Sequence, residues 1–435
     1  MRAKKNLRPT VPDSQLSPPN VRLIRSRVVL PVSRPPIENG VVAISGERIV
    51  AVGRWPGVRK QFSGDVIDLG ESVLLPGLIN THCHLDYTHM AGLFPPPKKF
   101  TDWIKLITTE KAGWTYSDFA ESWIAGAKML LRNGTTTVAD IEAVPELLPD
   151  VWDATPLRVI SQLEMTGVKS RRNPELILRE ALEKMDSLPP GRSKTSLSPH
   201  APYSTTPKLL RRATVAARRR KLVIATHVAE SAAEFEMFQH ARGEMFDWLA
   251  RNQRDMRDCG ARSPVQHLAW CNALGPHLLG IHVNYLAPGD AELLARKRVS
   301  VVHCPRSHDF FRHAEFPRRT LAKAGVNLCL GTDSLATVRK YPKRDLELNL
   351  FLEMRAFAAK HPGVHPRQIV QMVTVNAARA LKLRRKLGEF RRSAFADLIA
   401  LPFAGKFADS YSAVISHAGK VSGSMIAGNW VIAPK

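Results

Sequence analysis

The sequence reads PGLINTHCHLD at residues 76–86, an apolar run that ends in two histidines, His82 and His84, one residue apart. Residues i and i+2 of a β-strand point to the same face of the sheet, so both imidazoles can reach one point. At the carboxyl end of a parallel barrel strand, that point is where active-site side chains gather. The run therefore predicts a strand that carries part of a functional site.

Seven more β-branched runs follow along the chain, and longer amphipathic segments separate them. With the first, the runs are SVLLPGLINTHCH (72–84), TTTVADI (135–141), LRVISQLEM (157–165), TSLSPHAP (195–202), KLVIATHVAE (221–230), LLGIHVNYL (278–286), VSVVHCPRS (299–307) and NLCLGTDS (327–334). Such alternation of strand and helix patterns is typical of parallel α/β folds. Eight strand–helix units in about 300 residues predict a single (β/α)8 TIM barrel over residues 76–387.

The flanks of this region have a different pattern, with short strands and turns in residues 21–75 and 388–435. Because neither flank belongs to the eight-fold alternation, we expect them to join into one small β-sandwich built from the two chain ends. Residues 1–20 carry basic residues and prolines without an apolar h-region, which predicts a disordered lead-in rather than a secretory signal. No apolar stretch approaches the roughly eighteen residues that a membrane span needs.

The composition favours a large cytoplasmic protein. The chain has 435 residues, of which 44% are hydrophobic, and this is ample for a large core. Its five cysteines are scattered and include no CxxC pair, which argues against a disulfide framework or a zinc knuckle. A reducing, cytoplasmic location is the expectation that fits this pattern.

The chain is strongly basic, with a formal net charge of +24. Basic clusters occur at Arg211–Arg212, Arg218–Lys221, Arg296–Arg298 and Arg384–Lys386. One interpretation is attraction to nucleic acid or another polyanion; the other is a set of solvated helix faces. The clusters are spread along helical stretches and lack interleaved aromatic residues, so the second interpretation is favoured. We therefore expect a small-molecule substrate, with neither nucleic acid nor membrane as a partner.

The residues suited to chemistry lie at the carboxyl ends of the predicted strands. They are His82 and His84 on the first, His200 on the fourth, His227 on the fifth, His282 on the sixth, His303 on the seventh and Asp333 on the eighth. Four of them can supply three nitrogens and one oxygen to a metal, namely His82, His84, His227 and Asp333. This donor set suits Zn²⁺, although Fe²⁺ or Mn²⁺ would also accept it. A bound divalent ion lowers the pKa of its water ligand to about 7, which provides hydroxide at neutral pH.

Two further residues are candidates for proton transfer. Glu230 follows His227 by three residues, where a carboxylate can stand beside the metal without binding it. His282 is a second candidate, to steer the hydroxide or a developing charge. His200 is open between substrate contact and loop packing.

The other polar residues near these motifs are interpreted as structural. A single histidine at a strand end is more often a hydrogen-bonded structural residue than a ligand. His303 is interpreted in this way, while His89 and His308 are expected to be solvated loop histidines. Asp86 is expected to anchor its loop, and the cysteines beside the motifs, Cys83 and Cys304, to fill space.

Taken in order, six motifs resemble the amidohydrolase superfamily, and more narrowly its mononuclear deaminase and chlorohydrolase branch. They are PGLINTHCHLD, SPHAPYS, THVAES, GIHVNYL, VVHCPRS and LGTDS. The resemblance covers almost the whole chain from about residue 22, including the β-sandwich. It implies that zinc is bound by His82, His84, His227 and Asp333. It also implies that Glu230 is the acid/base and that His282 hydrogen-bonds the hydroxide.

The resemblance implies one metal rather than two. Binuclear members carry a bridging lysine or glutamate at the end of strand four. Here that strand ends in Ser198-Pro199-His200, and Lys194 lies at its beginning. One divalent ion is therefore expected.

Within this branch, HCPRS and GTDS look most like the 6-aminodeoxyfutalosine deaminases of menaquinone biosynthesis. Deaminases of adenosine and S-adenosylhomocysteine are near neighbours. FTDWIKLI, with Trp103, is similar to a substrate-capping loop of that group, the alternative being ordinary helix packing. Arg306 is a candidate to meet a substrate carboxylate, and His200 and Ser334 are further substrate-binding candidates. The sequence HCH in place of HTH, and His308 in place of a common asparagine, are departures from the pattern.

The sequence thus predicts hydrolytic deamination of an aminopurine-type nucleoside with release of ammonia. In this hypothesis Glu230 protonates a ring nitrogen, and hydroxide oriented by His282 and Asp333 attacks the amine-bearing carbon. The alternatives are a related reaction at the same site (guanine or cytosine deamination, or s-triazine dechlorination) and a two-metal cyclic amide or imide hydrolase. A basic nucleic-acid-binding protein with a vestigial barrel is the third alternative. The resemblance also makes a homodimer an expectation.

Overall fold

A computed structural model describes residues 20–167, 173–340 and 345–434 of the chain. The predicted disordered lead-in at residues 1–20 falls, except for Asn20, outside these residues. Within them the chain forms sixteen β-strands and sixteen α-helices, with four short 3₁₀ helices at Leu85–Met90, Pro145–Leu147, Leu335–Thr337 and Phe407–Asp409.

The strands alternate with helices along most of the chain. The strands are β1 (Val21–Val29), β2 (Ile37–Ser45), β3 (Arg48–Arg54), β4 (Asp65–Asp68), β5 (Ser72–Pro76), β6 (Leu78–Cys83), β7 (Thr135–Glu142), β8 (Arg158–Met165), β9 (Lys194–Pro199), β10 (Ile224–Val228), β11 (Leu278–His282), β12 (Ser300–His303), β13 (Asn327–Leu330), β14 (Leu398–Pro402), β15 (Gly423–Ile426) and β16 (Asn429–Ile432).

The helices are α1 (Trp55–Gln61), α2 (Phe100–Ala112), α3 (Tyr116–Arg132), α4 (Leu148–Asp153), α5 (Pro174–Ser187), α6 (Pro207–Arg219), α7 (Ala232–His240), α8 (Glu244–Arg251), α9 (Pro264–Trp270), α10 (Asp290–Arg296), α11 (Pro305–Phe310), α12 (Arg318–Ala324), α13 (Leu350–Lys360), α14 (Pro366–Met372), α15 (Val375–Ala380) and α16 (Ser410–Ser416). Among the described residues, no helix combines the length and the apolar character needed to cross a bilayer.

The barrel is an eight-stranded sheet that runs from β6 to β13 in sequence order, and the neighbouring strands are parallel. A parallel bridge between Cys83 and Asp333 joins the first strand to the turn after the last. The amide of Thr332 donates to the carbonyl of His82 at 3.0 Å across the same seam. The predicted (β/α)8 barrel is therefore confirmed.

The second sheet joins the two ends of the chain. Its order is β16-β15-β14-β5-β1-β2-β3, with β4 also paired to β1. The prediction of a separate β-unit made from both termini is confirmed, as one continuous hydrogen-bonded sheet. The boundaries drawn at residues 75/76 and 387/388 stay predictions.

One predicted run is divided between the two sheets. In SVLLPGLINTHCH, β5 pairs antiparallel with β14 in the terminal sheet, whereas β6 pairs in parallel with β7 in the barrel. Gly77 lies between them, where a Cβ atom would stand 2.2 Å from Thr136 Oγ1. Only glycine permits this close approach, so the chain changes sheets at that residue.

The amino-terminal end of the barrel is closed by residues 375–387. Ala377 and Leu381 pack in one buried cluster with Ile79 and Leu279 from the inner face of the barrel. Asn376, on α15, donates its side-chain amide to the carbonyl of Leu328 at 2.9 Å. This segment therefore seals the end of the barrel opposite to the strand carboxyl ends.

A buried ion pair ties the barrel to the terminal sheet. Arg158, the first residue of β8, donates from Nε to Asp397 Oδ2 at 2.7 Å and from Nη2 to Oδ1 at 3.1 Å. The Asp397 side chain is 2% exposed, and it also accepts the amide of Ala427. The Asp397 carboxylate thus accepts three hydrogen bonds, and these compensate the free-energy cost of its desolvation.

Replacing Asp397 by alanine should leave the Arg158 guanidinium without its carboxylate in a buried site. We expect the free energy of unfolding to fall by about 3 kcal/mol, the loss typical when one partner of a buried pair is removed. A guanidinium chloride titration followed by circular dichroism measures it. Asp255→Ala is the control, because it breaks an exposed pair with Arg257 and should leave the midpoint nearly unchanged. Equal losses in both variants would contradict the assignment.

Candidate metal centre and active site

The four predicted metal ligands meet at the carboxyl end of the barrel. The ring centroid of His82 lies 4.9 Å from that of His84 and 5.0 Å from that of His227. Asp333 Oδ1 lies 3.4 Å from Nε2 of His82 and 3.7 Å from Nε2 of His84. Donor atoms of the three histidines all lie within 4.8 Å of one another, as do those of His82, His282 and Asp333. The structure therefore brings these residues together around one point, and their role as metal ligands stays a prediction.

The residues fit a resident metal ion. His82 is fully buried, and neither of its ring nitrogens makes a hydrogen bond within the described part of the chain. An imidazole buried without a partner is costly unless a ligand satisfies it. Three imidazoles with one carboxylate form a donor set that zinc accepts and that suits one divalent ion.

The protonation states also favour metal binding. Burial, and then the neighbouring imidazoles, hold the pKa values of His84 and His227 well below the ordinary value. Burial alone would raise the pKa of Asp333, but the surrounding imidazoles hold it well below its usual range. The site therefore presents neutral imidazoles and an ionised carboxylate, which are the forms that bind metals.

Strand four gives no sign of a second metal. After β9 the chain continues into His200, whose Nδ1 lies 2.6 Å from Ser204 Oγ. Lys194 is exposed at the beginning of that strand. Over the ranges that the structure describes, the end of this strand offers neither a lysine nor a carboxylate to bridge two ions.

Glu230 and His282 lie beside the metal ligands. Glu230 Oε1 is 3.4 Å from His282 Nε2, and both side chains are buried. Burial, followed by the charges of Asp333 and Glu234, raises the pKa of Glu230 well above its ordinary value. This shift favours the protonated form of Glu230, which is the form that a general acid needs.

The backbone around Glu230 is held on both sides. Its amide donates to Glu234 Oε2 at 2.8 Å, and its carbonyl accepts the Asn284 side-chain amide at 2.9 Å. Left-handed backbone angles occur at the strand ends, with φ of +71° at His282 and +54° at Asp333. Such strain is found where a surrounding structure forces side chains into a site. The sequence analysis did not identify Glu234 or Asn284. Glu234 lies one helical turn beyond Glu230, shortly after the THVAES motif.

A cavity of about 460 Å³ opens from the metal ligands and is lined by Trp103, His200 and Ser334, as predicted for substrate-binding residues. Trp103 is 8% exposed, and its ring centroid lies 5.9 Å from that of Phe310 and 5.6 Å from that of Phe311. Trp103 therefore packs against these aromatic rings and also lines the cavity. The two alternatives considered for this residue do not exclude each other.

Several cavity residues were missed by the sequence analysis. They are Tyr87, Lys111, Glu164 and Tyr203. Tyr87 stacks on the imidazole of His84, with centroids 5.1 Å apart and planes 7° apart, and its hydroxyl accepts a hydrogen bond from Lys111. The position of Tyr87 in DYTH, one residue after HCH, could have indicated a cavity residue. Sequence periodicity, however, does not distinguish a tyrosine that lines a cavity from one in the core.

Arg306 is not among the residues that line the cavity. Its Nε donates to Glu353 Oε1 at 2.5 Å and its Nη2 donates to the carbonyl of Glu347 at 2.9 Å. Glu353 is fully buried, so the guanidinium is required there to compensate its charge. The structure therefore gives no support to the prediction that Arg306 meets a substrate carboxylate.

Other expectations are partly corrected by the structure. His303 stacks on Phe316 with centroids 3.8 Å apart, in agreement with a structural role, and His89 is exposed. His308 is half-buried rather than solvated, and its Nδ1 lies 3.1 Å from Asn284 Oδ1. The Asp86 carboxylate makes no hydrogen bond within the described segments, so it does not anchor the loop as expected.

Comparisons with known proteins identify the family that this chain resembles. The sequence profile of the amidohydrolase family matches residues 73–431. The chain is 30% identical over 395 residues to a 5-methylthioadenosine/S-adenosylhomocysteine deaminase of Moorella thermoacetica, covering 87% of this chain and 84% of that protein. Thus the resemblance stated from the six motifs is confirmed.

Two solved structures show the same fold. An adenosine deaminase from Xanthomonas campestris with bound zinc has a TM-score of 0.81 at 23% identity and covers 96% of this chain and 94% of that chain. Helicobacter pylori aminofutalosine deaminase has a TM-score of 0.83 at 20% identity and covers 94% of this chain and 100% of that chain.

Replacing His82 by alanine should remove a central metal ligand. We expect the purified protein to carry about one divalent ion per chain and the variant to carry less than about a tenth of that, because a tetrahedral site that loses one protein ligand binds far more weakly. Plasma emission spectrometry measures both. His303→Ala is the matched control and should retain its metal, since His303 packs on Phe316. A full metal load in His82→Ala would contradict the ligand set.

Proposed function

The chain belongs to the amidohydrolase family, and on that premise we propose that it is a zinc-dependent deaminase of an adenosine-type nucleoside. It is a hydrolase that acts on carbon–nitrogen bonds other than peptide bonds. The observation that carries the proposal is the buried Glu230 carboxyl at 3.4 Å from His282, beside three imidazoles and one carboxylate, with its pKa raised well above the ordinary value by burial. A general acid next to a metal centre is what hydrolysis of an aromatic amine requires.

His82, His84, His227 and Asp333 would hold one divalent ion, which would supply hydroxide at neutral pH. Glu230 then donates its proton to a nitrogen of the purine ring, which draws electrons away from the amine-bearing carbon. His282 and Asp333 orient the attacking oxygen, the Asp333 carboxylate takes up the proton that this oxygen loses, and Asp333 passes that proton to the leaving amine. The C–N bond breaks as the amine receives a proton, so that water and the nucleoside amine become a carbonyl and ammonia.

The cavity favours a flat, partly apolar substrate. Its wall beyond the metal ligands includes the aromatic residues Phe100, Trp103 and Tyr203 together with the hydroxyls of Ser334 and Thr337. Aromatic side chains pack against a purine ring, and a few placed polar groups orient it. A volume of about 460 Å³ lies in the range of sites that enclose a small ligand.

Glu230→Gln should abolish turnover while the metal stays bound, because the amide cannot transfer a proton but occupies the same space. We expect kcat to fall at least about a thousandfold, the upper part of the range for loss of a general acid. Ammonia release and metal content are measured together on the same samples.

The matched control is Glu236→Gln, on the exposed side of the helix that follows Glu230, where Glu236 pairs only with Arg242. This variant should keep its turnover. An active Glu230→Gln enzyme would refute the acid/base assignment, and a metal-free one would show that Glu230 acts on metal binding instead.

The substrate within this class is also a proposal. Because the Arg306 guanidinium is occupied by Glu353, the structure weakens the case for the carboxylate of 6-aminodeoxyfutalosine and for a role in menaquinone biosynthesis. The curated relative at 30% identity is named for 5-methylthioadenosine and S-adenosylhomocysteine. We therefore favour 5′-modified adenosines.

The cytoplasmic location and the homodimer stay predictions.

A panel of substrates should rank 5-methylthioadenosine above 6-aminodeoxyfutalosine in kcat/KM. Ammonia release from these two, adenosine, S-adenosylhomocysteine and guanine is compared at equal concentrations with chloride release from a chloro-s-triazine and with ring opening of a cyclic imide. A preference for 6-aminodeoxyfutalosine would restore the substrate predicted from the motifs. Activity on guanine or the triazine alone would favour the related reactions, and a cyclic imide hydrolysed with two metals per chain would favour the binuclear alternative.

A further inference from the structure

The segment that closes the amino-terminal end of the barrel is itself strongly basic. Residues 379–386 read RALKLRRK, with five basic residues and no acidic one. While Leu381 and Leu387 pack into the barrel, the five basic side chains are exposed. They are Arg379, Lys382, Arg384, Arg385 and Lys386. The closed end of the barrel therefore presents a compact group of positive charges to solvent.

The barrel topology brings two more basic clusters to the same end. Arg218–Lys221 directly precedes β10, and Arg296–Arg298 directly precedes β12. Residues just before parallel strands lie at the amino-terminal face of a barrel. Lys382 Nζ donates to the carbonyls of Lys221 and Leu222 at 3.2 and 2.8 Å, which fastens the closing segment to the first of these clusters. Three of the four clusters that are distant in sequence thus share one face.

Few of these charges are compensated. Two carboxylates nearby are already paired, Asp186 with Arg220 at 2.5 Å and Asp397 with Arg158 at 2.7 Å. The other basic side chains of the face make no ion pair among the residues that the structure describes. They are Arg218, Arg219, Lys221, Arg296, Lys297, Arg298, Arg379, Lys382, Arg384, Arg385 and Lys386. Unpaired charges of one sign on one face create a positive potential that a polyanion would relieve.

The chemistry of this face favours phosphate over an apolar partner. None of the large hydrophobic side chains that are exposed on the protein belongs to these three segments; they are Val66, Leu93, Leu106, Tyr116, Val215 and Trp270. Membrane insertion and protein–protein interfaces both need apolar anchors. Arginine, which is the commoner base here, matches phosphate oxygens with two parallel hydrogen bonds.

We propose that the amino-terminal face of the barrel, formed by residues 218–221, 296–298 and 379–386, binds the phosphodiester backbone of a nucleic acid. The absence of aromatic residues from these segments indicates binding without base specificity, through charge alone. The face lies at the opposite end of the barrel from the cavity, so the proposal is independent of the deaminase function. It reverses the interpretation of the clusters as solvated helix faces, because that interpretation treated them as dispersed.

The test uses the full-length protein and two variants that lose the same charge. The first is Arg384→Gln/Arg385→Gln/Lys386→Gln on the proposed face. The second, the matched control, is Lys60→Gln/Lys128→Gln/Lys406→Gln, which removes three exposed lysines elsewhere. Fluorescence anisotropy measures binding of a 20-nucleotide single-stranded RNA and a 20-base-pair DNA duplex from about 50 to 300 mM salt, the range over which phosphate contacts weaken measurably.

We expect the first variant to weaken binding at least about tenfold at low salt and to reduce the slope of log affinity against log salt by about three, one per lost phosphate contact. The control should change affinity less than about threefold. Both variants should keep the wild-type kcat/KM for the nucleoside and the wild-type melting temperature, which shows that they are folded.

Equal weakening by both variants would overturn the proposal, because the attraction would then follow net charge and not this face. Failure of the wild-type protein to bind either oligonucleotide below about 10 µM, in the range of ordinary non-specific binding, would also overturn it. So would retention on phosphatidylserine vesicles without oligonucleotide binding. If the wild-type protein binds one of the two oligonucleotides more tightly, that preference shows whether the face accepts the backbone of RNA or of DNA.

Discussion

One seam of the barrel determines both the fold and the site. The amides of Thr332 and Asp333 donate to the carbonyl of His82, and a bridge joins Asp333 to Cys83. These contacts close the sheet between its first and last strands. They also bring the Asp333 carboxylate to within 3.4 Å of the His82 ring. Closure of the barrel and assembly of the ligand set are therefore the same event, and a sheet that failed to close would have no metal centre.

Electrostatics within the site follow from this burial. Burial ordinarily raises the pKa of a carboxylate, yet the imidazoles that surround Asp333 hold its pKa well below the usual range. The pKa of Glu230 shifts in the opposite direction, because burial and the charges of Asp333 and Glu234 raise it well above the ordinary value. The pKa values of two carboxylates in one pocket are thus pushed apart, which is the arrangement that the proposed metal-ligand and acid roles need.

The two ends of the barrel present different chemistry for a common topological reason. Parallel strands place everything that follows them at one end and everything that precedes them at the other. The histidines, Glu230 and Asp333 follow strands, whereas the clusters Arg218–Lys221 and Arg296–Arg298 precede them. The closing segment adds its own five basic residues to that second end. Twelve of the 63 basic residues therefore lie at the end of the barrel opposite to the metal ligands.

The sequence by itself determined the eight-fold alternation and the place of His82, His84, His227, Glu230, His282 and Asp333 at the strand ends, because strand periodicity and strand ends are local properties of the sequence. Only the tertiary structure decided the rest. Arg306 is withdrawn from substrate binding by Glu353, which lies 47 residues away, and no local pattern reveals that pair. No local pattern reveals that Tyr87 faces the cavity. Nor does one reveal that three basic clusters meet at one face. Which side chains share a neighbourhood depends on how distant segments pack, and packing is a property of the whole chain rather than of any stretch of it.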